Sequence, residues 1–139
     1  MPMDEVRARY LRDRVLTATP AQRVVMLYDR LGLDLTLAES AEDEFTTGSH
    51  LGHAMAVVIE LQGSLDVSAG GPAQNLSGIY AHLLTELVAA RGGDRERIAG
   101  VQQIVGTLRD AWAQAADIVA GSAAQSAQSA PASAGAWVS

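Results

Sequence analysis

The stretch from Thr19 to Ala38 constrains the fold of this chain more than any other part of the sequence. Thr19 can cap a helix, Pro20 suits the first helical position, and Gln22 completes a capping box. An apolar stripe follows at intervals of three and four residues: Val24, Tyr28, Leu31, Leu35 and Ala38. This spacing places the stripe on one face of a helix. Further apolar residues outside the stripe predict that more than one neighbouring helix covers it.

Three more segments have the same periodicity. The first long helix is predicted over about 20–41, and the second carries a stripe from Leu51 to Leu65. The third is predicted over about 73–90 and the fourth over about 95–120. The start of the second helix stays open, because Thr46, Thr47 and Ser49 are all usable caps and Gly48 is a helix breaker.

The segment Arg91–Asp94 is so short that it predicts antiparallel packing of the third and fourth helices. Gly92 suits the left-handed position that ends a helix, and Asp94 suits the cap of the next. The sequence therefore predicts an all-α fold, an antiparallel four-helix bundle with a short extra N-terminal helix. Residues 1–18 are predicted to form an N-terminal arm, 19–120 the helical bundle, and 121–139 a disordered C-terminal tail rich in Ala and Ser.

The composition excludes several classes of function. The net charge is −6 and all ten basic residues are Arg, so clustered cations for nucleic-acid binding are scarce. No apolar run approaches the roughly 20 residues that a membrane span needs. The N-terminus is charged where a signal peptide would be apolar, so we expect a cytoplasmic protein. Cysteine is absent, which excludes disulfides and thiolate metal sites.

The residues that catalysis would need are missing from the sequence. It contains no Lys, no glycine-rich phosphate loop and no nucleophile elbow. His50 and His53 are three residues apart, but no Glu-x-x-His pair accompanies them, so they predict surface histidines rather than metal ligands. We therefore expect a protein without cofactor or metal that is not an enzyme.

Four stretches together resemble one known family. They are the string Thr17-Ala-Thr-Pro-Ala-Gln-Arg-Val-Val-Met-Leu-Tyr-Asp29, Glu60-Leu61 with Ser64-Leu65, Asn75-Leu76 with Tyr80, and Leu108-Arg-Asp-Ala-Trp112. Their order and spacing are similar to those of the FliS family, the flagellin-specific export chaperones, over about 10–120. The chain departs from the family pattern at Arg30, where Gly is common, and in the acidic segment Glu42–Glu44.

The resemblance implies a bundle that binds the C-terminal segment of flagellin in the cytoplasm. Holding that segment would prevent premature polymerisation and deliver flagellin to the flagellar type III export apparatus, with export gate components as further possible partners. The alternative is a non-catalytic bundle that associates with itself and has a structural or regulatory role.

The client-binding hypothesis predicts eight contact residues along the grooves of the second, third and fourth helices and on the arm. They are Tyr10, Leu11, Leu61, Leu65, Asn75, Leu76, Tyr80 and Leu83. For each leucine the competing interpretation is an ordinary core position. Tyr28 and Trp112 are predicted to anchor the core, and Arg109 is expected to fix a helix end or bind the client backbone.

Overall fold

The described part of the chain is almost entirely helical. A computed structural model describes residues 4–9, 18–66, 68 and 70–138. Residues 4–9 form a short helix, α1. Four long helices follow: Pro20–Ser40 (α2), Glu44–Gly63 (α3), Pro72–Arg91 (α4) and Arg97–Val138 (α5). No strand occurs among the described residues, in agreement with the predicted all-α class.

The chain divides into two compact units. Residues 24–109 form one of them, and the described residues of 1–23 and 110–139 belong to the other. Within 24–109, α3 and α4 pack side by side, and Arg91 at the end of α4 lies beside Gly48 near the start of α3. In α5, Arg109 pairs with Asp29 of α2, whereas Arg95, just before α5, reaches the other end of α2. Neighbouring helices are therefore antiparallel, which confirms the predicted four-helix bundle.

The core of this bundle follows the predicted stripes. Its buried apolar side chains are Tyr28, Leu31, Leu35 and Ala38 of α2, Leu51, Ala54, Val57, Val58 and Leu61 of α3, Tyr80, Leu83, Leu87 and Ala90 of α4, and Ile98, Val101 and Val105 of α5. Full burial of one such aliphatic or aromatic side chain stabilises the fold by about 1.5–3 kcal/mol. Tyr28 is a core anchor as predicted, while Trp112 is half-buried.

The start of α3 corrects the prediction about its cap. Asp43 is the N-cap, and its Oδ1 accepts a hydrogen bond of 2.7 Å from the backbone N–H of Thr46. This bond, followed by the one from the Thr46 hydroxyl, lowers the pKa of the Asp43 carboxyl. Because this cap starts the helix early, Gly48 lies inside α3 and does not interrupt it.

The connection between α4 and α5 also differs in detail from the prediction. Gly92 has a right-handed φ of −74°, and it is Gly93 that has a positive φ, of 125°. Asp94 is not followed directly by a helix, because 95 and 96 form a turn before α5 begins at Arg97. The Asp94 carboxylate accepts a hydrogen bond of 2.8 Å from Nε of Arg97.

The second unit contains the predicted capping box. The backbone N–H of Gln22 donates to Oγ1 of Thr19, and the backbone N–H of Thr19 donates to Oε1 of Gln22. On α5, Ala116 is buried, whereas the neighbouring Ala115 is exposed. The backbone of α5 is helical to Val138, so the predicted end near Ala120 is too early. High helix propensity of Ala favours this extension, and disorder of 121–139 in solution stays a prediction.

Candidate functional site

Large apolar side chains project from the outside of α3 and α4. Phe45 on α3 is 86% exposed, Ile59 on the same helix is 55% exposed, and Val88 on α4 is 56% exposed. The sequence analysis did not select these residues for a site. They could have been identified from the sequence, because they are apolar residues outside the stripes that form the core. An apolar residue off the buried face of an amphipathic helix remains accessible.

An arginine lies between these apolar residues. The Arg91 side chain passes over Gly48 and Gly52 of α3, and a Cβ atom built on Gly52 would be only 3.3 Å from its Nη1 atom. Val88 precedes Arg91 by three residues, so the two are neighbours on the surface of α4. We call the surface formed by these residues the α3–α4 outer face: Phe45, Gly48, Gly52, Ile59, Val88 and Arg91.

A small cleft adjoins this face where α4 ends. It has a volume of about 100 Å³ and is lined by Glu44, Thr47, Ala90, Arg91, Gly92, Gly93 and Arg95. A second cleft of about 230 Å³ includes His82, Glu86 and Arg97. Both are smaller than the roughly 300–1,000 Å³ of sites for small molecules or cofactors. Among the described residues, no three His, Asp or Glu side chains are placed to hold a metal ion.

Comparison with protein families shows to which family this helical bundle belongs. The model of the family described as flagellar protein FliS matches residues 3–119. The chain belongs to the FliS family. The match spans the whole bundle of 24–109 and confirms the resemblance found in the sequence. Membership of the FliS family implies a flagellar chaperone role. No curated protein matches the chain.

Three of the eight residues that the FliS resemblance suggested as contacts are in the core. Leu61 and Tyr80 are each 1% exposed and Leu83 is fully buried. The expectation that these side chains line an open groove is not met, because the buried face of each helix includes them. Tyr80 also forms a buried hydrogen bond, since its hydroxyl lies 2.5 Å from that of Tyr28 on α2.

Three other predicted contacts are accessible and lie at one end of the bundle. Leu65, which follows α3, and Leu76, in the first turns of α4, are half-buried, and Asn75 is exposed. Tyr10 and Leu11 lie outside the described residues. Arg109 donates a hydrogen bond of 2.8 Å from Nε to Oδ1 of Asp29, so it joins α5 to α2.

None of the helices in the described ranges has the length and apolarity needed to cross a membrane.

Proposed function

We propose that this chain is a cytoplasmic export chaperone that binds the C-terminal segment of flagellin. By holding that segment it prevents premature polymerisation, and it delivers flagellin to the flagellar type III export apparatus. The observation that carries the proposal is the match to the FliS family over residues 3–119. Contacts with export gate components belong to the same proposal.

The exposed apolar side chains support this function physically. Phe45, Ile59 and Val88 leave apolar area in water that a client segment would cover on binding. The client pays an ordering entropy when it folds onto the chaperone, so several separate contacts give an affinity that still permits release. A chaperone needs release, because the export apparatus must receive the client free.

We place the client along the α3–α4 outer face and on to the end of the bundle at Leu65 and Leu76. Antiparallel packing of α3 and α4 makes this a continuous path, since α3 ends where α4 begins. Asn75 is exposed beside Leu76 and has an amide that suits the backbone of a bound segment. Contacts from Tyr10 and Leu11 on the arm stay a prediction.

Titration of a flagellin C-terminal peptide by calorimetry tests the proposal. The wild-type chain is expected to bind it, and Ile59→Asp or Val88→Asp is expected to weaken binding about tenfold or more. Leu33→Asp is the matched control, because Leu33 is 49% exposed on α2, outside the proposed path. No binding by the folded wild-type chain at tens of micromolar, or equal loss in the control, contradicts the proposal.

The second candidate is a bundle that associates with itself through the same apolar residues. It is favoured by the exposure of Phe45, which is greater than that of the other large apolar residues described. Sedimentation of the chain with and without the flagellin peptide separates the two. A tight homodimer that ignores the peptide supports self-association, and a monomer that forms a one-to-one complex supports the chaperone.

A further inference from the structure

The guanidinium of Arg91 lies unusually close to the backbone of α3. A Cβ atom on Gly52 would stand 3.3 Å from Nη1, 3.4 Å from Cζ and 3.5 Å from Nη2 of Arg91, and a Cβ atom on Gly48 would stand 3.8 Å from Nε. Both glycines are within a regular helix and neither has a positive φ. The absence of a side chain at these positions therefore provides room for the guanidinium and serves no special backbone conformation.

Arg91 differs from the other arginines of the bundle in what it binds. Nη2 of Arg95 donates to three carbonyl oxygens at the end of α2, and Arg97 pairs with Glu86 and Asp94. Arg30 pairs with Asp34, and Arg109 with Asp29. Arg91 is exposed, and none of the carboxylates among the described residues forms an ion pair with it.

The guanidinium of Arg91 lies midway between two exposed apolar side chains of α3. Phe45 precedes Gly52 by seven residues and Ile59 follows it by seven, so all three lie near one line along α3. The two apolar residues are thus about 21 Å apart along the helix axis, with the guanidinium near the midpoint. Val88 lies beside that midpoint on α4, one turn before Arg91.

We propose that the α3–α4 outer face recognises a helical client segment by a carboxylate placed between two apolar residues. The segment has a bulky apolar residue, then Asp or Glu two turns later, then a second bulky apolar residue after two more turns. Its apolar residues cover Phe45 and Ile59, and its carboxylate pairs with Arg91. The inference rests on the proposed chaperone function and specifies the chemistry of the segment that this face accepts.

The Arg91 cation determines where a carboxylate of the client can bind on this face. From Leu31 to Ala90 the chain has eight acidic residues and no basic one, and the guanidinium of Arg91 is the positive group that lies over α3 at Gly52. A segment with a neutral residue at the midpoint would cover the guanidinium without pairing it, and one with Lys would be repelled. A spacing of seven keeps all three residues of the segment on one helical face.

Three synthetic peptides, each long enough for about six helical turns, test the proposal directly. They share Leu seven residues before and after the central position and differ only there, with Glu, Gln or Lys. Fluorescence anisotropy should show that the wild-type chain binds the Glu peptide about fivefold more tightly than the Gln peptide and the Lys peptide most weakly. The preference should decrease in high salt.

Two variants locate the preference at Arg91. Arg91→Glu should reverse the order, so that the Lys peptide binds best, whereas Arg23→Glu makes the same change of charge outside the face and should keep the wild-type order. Gly52→Leu should reduce the preference without a change of charge, because its side chain occupies the space of the guanidinium. Equal binding of the three peptides, no binding of any, or an unchanged order in Arg91→Glu overturns the proposal.

The same variants with a flagellin C-terminal peptide separate this inference from the proposed function. If the wild-type chain and Arg91→Glu bind that peptide equally well, the role of Arg91 is refuted and the chaperone function stands. If the wild-type chain does not bind it, the proposed function fails first. A dimer of the free chain that Ile59→Asp converts to monomer would assign the face to a second copy and refute the proposal.

Discussion

The Nδ1 atom of His53 on α3 lies 2.8 Å from Oδ2 of Asp34 on α2. Asp34 is 1% exposed, and its Oδ1 makes no hydrogen bond among the described residues, although Nε of Arg30 lies 3.5 Å away. A carboxylate only accepts hydrogen bonds, so the proton of His53 must be on Nδ1. The contact of 3.4 Å between Nη2 of Arg30 and the same nitrogen is then not a hydrogen bond. His53 thus supplies the bond that a buried carboxylate requires.

Replacement of His53 tests this relationship. His53→Leu removes the donor and leaves Asp34 without a hydrogen bond, while His53→Asn keeps an N–H near the position of Nδ1. We expect His53→Leu to be less stable than His53→Asn by about 1–2 kcal/mol in urea unfolding, because a buried acceptor without a partner is costly. The lower helix propensity of Asn works against this order. Equal stability of the two variants would contradict the assigned role.

Arg91 at the end of α4 and Arg95 just before α5 have separable roles, which gives a second prediction. Nη2 of Arg95 lies 2.8 Å from the carbonyl oxygen of Glu39 and 3.1 Å from those of Ala38 and Ala41, so it caps the end of α2. Arg95→Ala should lower the free energy of unfolding by about 1–2 kcal/mol. Arg91→Ala should change it by less than about 0.5 kcal/mol and instead weaken client binding. Thermal unfolding and peptide binding, measured on both variants, check this; the reverse pattern would exchange their roles.

The core could be predicted from the sequence because burial in this bundle follows helical periodicity. Leu31, Leu35, Leu51 and Leu87 lie on stripes of period 3.6, and each is fully buried. The start of α3 could not be predicted with the same rule. Several residues there have side chains that can cap a helix, and only the three-dimensional arrangement shows that Asp43 does so.

The candidate site was harder to predict than the core for a related reason. Leu61 and Leu65 both lie on the α3 stripe, yet the first is buried in the bundle and the second, beyond the end of α3, is half-buried. Periodicity does not distinguish them, because it gives the face of a helix and not its neighbours. The relation of Gly52 to Arg91 depends on the packing of α3 against α4, which sequence spacing does not contain.

The hydroxyl pair of Tyr28 and Tyr80 predicts a dependence of stability on alkaline pH. Burial raises the pKa of the Tyr80 hydroxyl above its usual 10.0, and the hydrogen bond from Tyr28 opposes this in part. The unfolded chain therefore loses this proton first as the pH rises, and the folded state loses stability above about pH 10. Urea midpoints measured from about pH 8 to about pH 11 should fall less in Tyr80→Phe than in the wild type. Equal slopes would show that other groups cause the alkaline loss.

Leu61 and Ile59 lie two residues apart on α3 and should respond in opposite ways to the same substitution. Leu61 is 1% exposed, so Leu61→Ala leaves a cavity in the core and should lower the free energy of unfolding by about 2–5 kcal/mol. Ile59 is 55% exposed, so Ile59→Ala should cost less than about 1 kcal/mol. Binding should show the opposite order under conditions where both variants are folded, because Ile59 is exposed on the proposed client path and Leu61 lies in the core. Circular dichroism and calorimetry with the flagellin peptide measure both quantities, and a folded Leu61→Ala that binds more weakly than Ile59→Ala would place the client on the opposite face of α3.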